Sequence, residues 1–220
     1  MTPISSKAGA QRLLTQLALA ITLLSTLTAC FPVIVGGAMV GTLVATDRRT
    51  SGTQLDDEGI EFRAASRLRD NPGERVHVNV NSYNRRVLIT GEAPNVQDKQ
   101  RVEQVVSRVD GVQSVVNEMA VLGHTTFAQR SSDALVTGRV KAGLIDAKDL
   151  YANAFKVVTE RGITYLMGRV TQREADRATE VARSTGGVQK VVRVFEIISE
   201  DELRALMPKP APEARATPAK

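Results

Sequence analysis

The feature that most limits how this chain can fold is that it writes one pattern twice. Val87-Leu88-Ile89-Thr90-Gly91 is answered by Thr164-Tyr165-Leu166-Met167-Gly168, and Gly111-Val112-Gln113-Ser114-Val115-Val116 by Gly187-Val188-Gln189-Lys190-Val191-Val192. The glycines are 20 positions apart in the first copy and 19 in the second, so one residue is lost between them. The turn near Asp110 is the simplest place for the loss. A fold for this chain must therefore be a small unit built twice.

Periodicity gives the order of elements within each copy. Ile60, Ala64 and Leu68 recur every fourth residue, as do Val136, Val140 and Leu144, which places one narrow apolar stripe along a helix. Asp57 and Asp133 stand three positions ahead of the stripes, where a carboxylate is expected to cap the helix N-terminus. Val76, Val78 and Val80 alternate with polar residues as in a half-buried strand, and Phe155 and Val157 are their counterparts. Tyr83-Asn84-Arg85-Arg86 and Glu160-Arg161-Gly162 read as hairpin turns into a second strand ending at Gly91 or Gly168. Val102, Val105, Val106 and Val109, then Ala175, Ala178, Val181 and Ala182, have helical spacing. A third strand closes each copy, near 112–121 and 188–198. The result is helix, strand, strand, helix, strand, twice: a two-layer α+β unit of about 65 to 70 residues.

Ahead of the repeats, Lys7 and Arg12 precede an apolar run from Leu13 to Leu27 that ends at Leu27-Thr28-Ala29-Cys30, with the only cysteine in the chain. Charged, apolar and small-residue regions in that order make residues 1–29 a secretory signal. The four closing residues resemble the lipobox of bacterial lipoproteins, in which the Cys30 thiol, a far better nucleophile than a hydroxyl, receives a lipid. Each buried acyl CH₂ is worth about 0.8 kcal/mol, so several chains make a permanent anchor. Phe31 in place of Asp points, by resemblance to sorting rules, to the outer membrane. Residues 30–54 read as a lipidated apolar tether and linker. Residues 31–46 are too short for the roughly 20 that span a bilayer. Residues 200–220, after a possible helical turn at Glu200–Leu206, read as a disordered Pro/Ala-rich tail.

The doubled unit resembles the BON domain of bacterial envelope proteins, on Leu88-Ile89-Thr90-Gly91-Glu92-Ala93 with Gly111 to Glu118, and on Leu166-Met167-Gly168-Arg169-Val170 with Gly187 to Val191. With the lipobox, residues 12–199 resemble the dual-BON-domain outer-membrane lipoproteins, the division- and outer-membrane-stress-associated lipid-binding proteins. The resemblance implies an α+β fold of two tandem αββαβ BON domains, 55–123 and 131–199. Each is a three-stranded mixed sheet covered on one face by two helices. It further implies a periplasm-facing protein that binds anionic phospholipid through its second BON domain and supports outer-membrane integrity.

Charge separates the copies. Residues 55–122 hold nine Lys/Arg against eleven Asp/Glu, and residues 131–198 eleven against eight, giving −2 and +3. The second copy therefore prefers anionic head groups. Its first helix carries, beside the core stripe, a neighbouring face of Leu135, Gly138, Ala142 and Ile145 with Arg139 and Lys141 close by. Leu135, Arg139, Lys141, Ala142 and Ile145 are the candidate phospholipid contacts. In the resembling proteins an aromatic stands where this chain has Leu135. A competing reading packs Leu135 and Ile145 against the first copy or the third strand. A different class of function, a lipid-tethered scaffold docking on envelope machinery such as the β-barrel assembly complex, would use the same face.

No catalytic set is expected. His77 and His124 read as isolated surface histidines, and Asp56-Asp57-Glu58 as helix-start acids, not a metal site. No Gly-x-Ser-x-Gly, HExxH or phosphate-loop pattern occurs. With 4% aromatics and no Lys/Arg run interleaved with them, nucleic acid is not an expected partner. No cofactor beyond the lipid on Cys30, no metal and no small-molecule substrate are expected.

Overall fold

The structure, a computed structural model, describes residues 47–70 and 76–206. The signal at 1–29, Cys30, the apolar tether to residue 46 and the tail from 207 lie outside the described residues. The first copy runs α1 (Ser51–Asp70), β1 (His77–Tyr83), β2 (Arg86–Ala93), α2 (Val96–Ser107), β3 (Ser114–Asn117) and β4 (Ala120–Val121). The second runs α3 (Phe127–Asp146), a 3₁₀ turn (Ala152–Ala154), β5 (Phe155–Glu160), β6 (Ile163–Val170), α4 (Gln172–Ser184) and β7 (Lys190–Ile197), and α5 (Glu200–Leu206) follows it. The expected order holds in both copies, while α1 begins inside the stretch read as linker and α5 inside the stretch read as tail.

In each sheet the second strand is central. β1 pairs antiparallel with β2, Val80 opposite Ile89, and β5 with β6, Val157 opposite Leu166. β3, β4 and β7 pair parallel with the central strands, since a crossover helix must intervene before the chain returns to the sheet. The third strand of the first copy is broken at Glu118-Met119, so that sheet counts four strands. Met119 at the break is buried in the core.

Three local expectations are corrected. Asp57 and Asp133 do not cap helix N-termini; α1 and α3 begin six residues earlier, and both carboxylates act from mid-helix on the hairpin turn. Asp57 accepts hydrogen bonds from the Asn84 and Arg85 amides, both 2.8 Å, and from Ser82 Oγ at 2.6 Å. Asp133 accepts from the Arg161 amide at 2.8 Å and the Gly162 amide at 2.9 Å. Both turn pairs have positive φ (51° and 62°, then 54° and 73°), the geometry that matches strand twist in a two-residue hairpin. The buried carboxylate holds amides that this turn leaves pointing at the helix.

Gly91 and Gly168 do not end strands either. They lie inside β2 and β6, where a Cβ would stand 2.1 Å from the His77 carbonyl oxygen and 2.5 Å from that of Ala154. The single-residue difference is not near Asp110. From the helix caps Asn95 and Thr171 to Gly111 and Gly187 both copies count 16 residues, so the extra residue is Pro94, between β2 and α2.

Each copy has its own core between its helices and one sheet face: Ile60, Ala64, Val87, Ile89, Val102 and Val106 in the first, and Val140, Leu144, Leu166, Val170, Ala175 and Ala178 in the second. The other sheet faces are buried too. Tyr83, Leu88, Tyr165, Met167 and Val194 form a third core joining the two sheets. Both faces of β2 and β6 are thus covered, which is what an unbroken apolar run such as Val87-Leu88-Ile89 signals. Hydrogen bonds edge this seam: Asn79 to Glu160 at 2.7 Å, Asn84 to Glu196 at 2.6 Å, and Tyr83 Oη to the Ala154 carbonyl at 3.2 Å. Lys156 and Glu61 pair across it.

The segment before α1 also belongs to the folded body. Arg48, 3% exposed in its side chain, makes a bidentate pair with Glu174, at 2.6 and 2.8 Å, and donates to the Arg169 carbonyl. Glu174 at the same time closes a capping box with Thr171 at the start of α4. Burial pushes the Glu174 carboxyl up, and the bonds from Arg48 and Thr171 outweigh it, leaving the group below its ordinary value. Arg49 turns to the first copy, bonding Asp57 at 2.8 Å and lying 4.2 Å over the Tyr83 ring.

Candidate functional site: the outer face of helix α3

The Thr126 side chain caps α3, accepting from the Gln129 amide at 3.2 Å. Val136, Val140 and Leu144 turn inward, and this fixes what turns out. Leu135 is 63% exposed and Ile145 70%, with Gly138 and Ala142 exposed between them. The competing reading, in which Leu135 and Ile145 are packed away, is overturned. A Cβ at Gly138 would meet nothing within 4 Å, so the face is open at its middle. Arg139 and Lys141 are both exposed, one on each flank of the strip. Arg139 donates to the Gly186 carbonyl at 3.4 Å, a long bond that leaves most of the guanidinium free for another acceptor.

One member of this face is not among the sequence candidates. Phe127, 79% exposed, opens α3 eighteen residues before Ile145. At 3.6 residues per turn that is five full turns, so both lie on one line along the helix, about 27 Å apart. Placing the helix start at Asp133 hid it; the signal was the five-turn spacing, which a helix starting at Thr126 makes visible.

The lower end of the face meets the incoming chain. Asp47, the first described residue, lines a shallow groove with Gln54, Lys141, Ile145 and Phe155. Cys30 stands seventeen positions before Asp47, and an extended chain covers at most about 3.6 Å per residue, roughly 60 Å in all. Among the described residues no helix is long and apolar enough to cross a membrane.

The histidines separate. His124 is exposed. His77 is not an isolated surface residue: its Nδ1 lies 3.0 Å from Glu92, and Glu160 of the second copy is close by. Asp56 pairs with Arg85 on the surface, and Asp57 serves the hairpin.

The model of the BON domain matches residues 56–123 and 132–199, once over each copy. The chain belongs to the BON-domain family. It is 37% identical over 171 residues to the outer membrane lipoprotein DolP of Haemophilus influenzae, covering 77% of this chain and 89% of that one. It is 34% identical over 154 residues to a 21 kDa hemolysin of Actinobacillus pleuropneumoniae, covering 69% and 79%. The osmotically-inducible protein Y of Escherichia coli is 25% identical over 159 residues, covering 69% and 77%. The chain is thus a dual-BON outer-membrane lipoprotein with an α+β fold, and its BON relatives are non-enzymatic in kind.

Proposed function

We propose that this BON lipoprotein is held at the periplasmic face of the outer membrane by lipid on Cys30, and that the outer face of α3 binds anionic phospholipid in support of membrane integrity. The observation that carries the reading is the strip of Phe127, Leu135 and Ile145, exposed on a helix whose core stripe is already filled and flanked by Arg139 and Lys141. Full burial of one such side chain is worth about 1.5–3 kcal/mol, and each cation near an anionic surface about 1 kcal/mol. The strip lies on the copy of net +3, and its Ile145 end adjoins Asp47, where the chain arrives from the lipidated segment. No catalytic role forms part of the proposal.

The test is flotation of non-lipidated residues 47–220, which carry all three cores, with vesicles of graded phosphatidylglycerol content. Binding that rises with anionic lipid supports the reading; absence of flotation at any composition contradicts it. A second reading has its own observation. Leu55 and Phe62 of α1 are 69% and 72% exposed on the copy of net −2. An anionic membrane repels that copy, so this smaller apolar patch suits docking on an envelope protein.

A further inference from the structure

The seam between the copies holds a group of side chains that lipid binding does not use. His77 opens β1, Glu92 stands directly opposite it in β2, and Glu160 closes β5 of the other copy. One nitrogen and two carboxylate oxygens, one from each residue, lie within 4.8 Å of one another. Glu92 is 1% exposed and Glu160 7%. Two carboxylates so buried and so close need positive charge or full hydrogen bonding to be tolerated.

The partners available supply it only in part. Glu92 Oε2 faces His77 Nδ1 at 3.0 Å and accepts from the Thr125 amide and hydroxyl at 3.4 and 3.3 Å. Glu92 Oε1 is buried and accepts no hydrogen bond. Arg161 Nη1, on a side chain one-third exposed, stops 3.6 Å from it. Glu160 accepts from Asn79 at 2.7 Å. Burial pushes the Glu160 carboxyl up; the Asn79 bond opposes this and the Glu92 charge adds to it.

We propose that His77, Glu92 and Glu160 form a divalent-cation site of the zinc type that joins the two BON domains. One imidazole nitrogen and two carboxylate oxygens are a donor set that Zn²⁺ takes at about 2.0–2.2 Å, with a fourth position left for water. Ligand atoms around such an ion sit about 3.4 Å apart, so closure asks for inward shifts of no more than about 1.5 Å. His77, whose side chain is 25% exposed, gives the ion its entry. Glu92 Oε1, buried, accepting no hydrogen bond and reached by Arg161 only at 3.6 Å, is an acceptor already stripped of water. Since the first copy gives two ligands and the second gives one, a bound ion clamps the seam. This proposal is independent of the phospholipid reading.

The test uses the full lipidated chain, without an oligohistidine tag, extracted in non-ionic detergent, stripped with chelator and titrated with Zn²⁺ by calorimetry at neutral pH. One ion per chain is expected, with a rise in Tm on saturation. His77→Gln and Glu160→Gln should each weaken binding by at least about tenfold and remove the Tm rise, while His124→Ala leaves both intact. Far-UV circular dichroism of the metal-free variants checks that they are folded. Glu160→Gln, nearly the same size and still able to bond Asn79, keeps the test open if His77→Gln unfolds. No saturable binding below about 100 μM Zn²⁺ overturns the proposal, as does binding that survives both variants or is lost equally in His124→Ala.

Discussion

Helices α1 and α3 hold equivalent places in the two BON domains, agree on their inner faces and differ on their outer ones. Ile60, Ala64 and Leu68 match Val136, Val140 and Leu144, and Asp57 matches Asp133, each binding the hairpin turn of its own sheet. Counting outward from the two aspartates, Leu135 stands where the first domain has Gly59 and Ile145 where it has Arg69. The sheet beneath dictates the inner face, so duplication leaves it alone. The outer face answers only to what the protein meets. In the second domain it is apolar with basic flanks; in the first it carries the smaller patch of Leu55 and Phe62 on a domain of net −2.

The largest expected effect breaks this comparison directly. Leu135→Glu with Ile145→Glu should abolish flotation of residues 47–220 with anionic vesicles, while Phe62→Glu should leave it within about twofold, because each burial replaced by a charge at the interface removes about 1.5 kcal/mol or more. Equal losses from both domains would show that the two outer faces do the same work.

The linker arginines sharpen the comparison in stability. Arg48 serves the second domain fully buried, whereas Arg49 serves the first from a partly exposed position. Arg48→Ala strands the Glu174 carboxylate and should cost about 3 kcal/mol in urea unfolding; Arg49→Ala should cost about 1 kcal/mol. The strand glycines come next. Gly91 has φ of +116° and would drive a Cβ into the His77 carbonyl, so Gly91→Ala should cost about 2 kcal/mol or more, and Gly168→Ala, without the positive φ, less. Chemical denaturation of the two variants compares them.

Acid gives the smallest effect. Burial raises the Asp57 carboxyl, but bonds from Ser82, Arg85, Arg49 and Asn84 outweigh it, and the group lies below its ordinary 3.8, as Glu174 lies below its ordinary 4.5. Groups depressed on folding stabilise fully above their unfolded values, and that stability is lost as the pH falls through the folded values. Stability should therefore hold down to about pH 4.5 and fall below it, with a shallower fall in Asp57→Asn, as read from Tm against pH.

Local periodicity made much of this fold legible. The repeat, the order of elements and both helix stripes could be read because their contacts recur within four residues. The outer face of α3 was legible too, since a helix with a filled core stripe leaves its other apolar residues outside. What escaped was non-local. Asp57 and Asp133 stood where a cap was expected, and their true partners lie some 27 residues further along. Pro94 moved the one-residue difference to a loop that no pattern marks. The seam, and with it His77 beside Glu92 and Glu160, depends on how two sheets meet; the unbroken run Val87-Leu88-Ile89 hinted at it.

The central claim is that the two domains divide their outer faces, with the second turned to lipid. The most direct measurement is amide broadening in residues 47–220 mixed with nanodiscs carrying spin-labelled phosphatidylglycerol. The account predicts broadening along α3 from Phe127 to Ile145, with α1 undisturbed. Broadening centred on Leu55 and Phe62, or none in either helix, would contradict it.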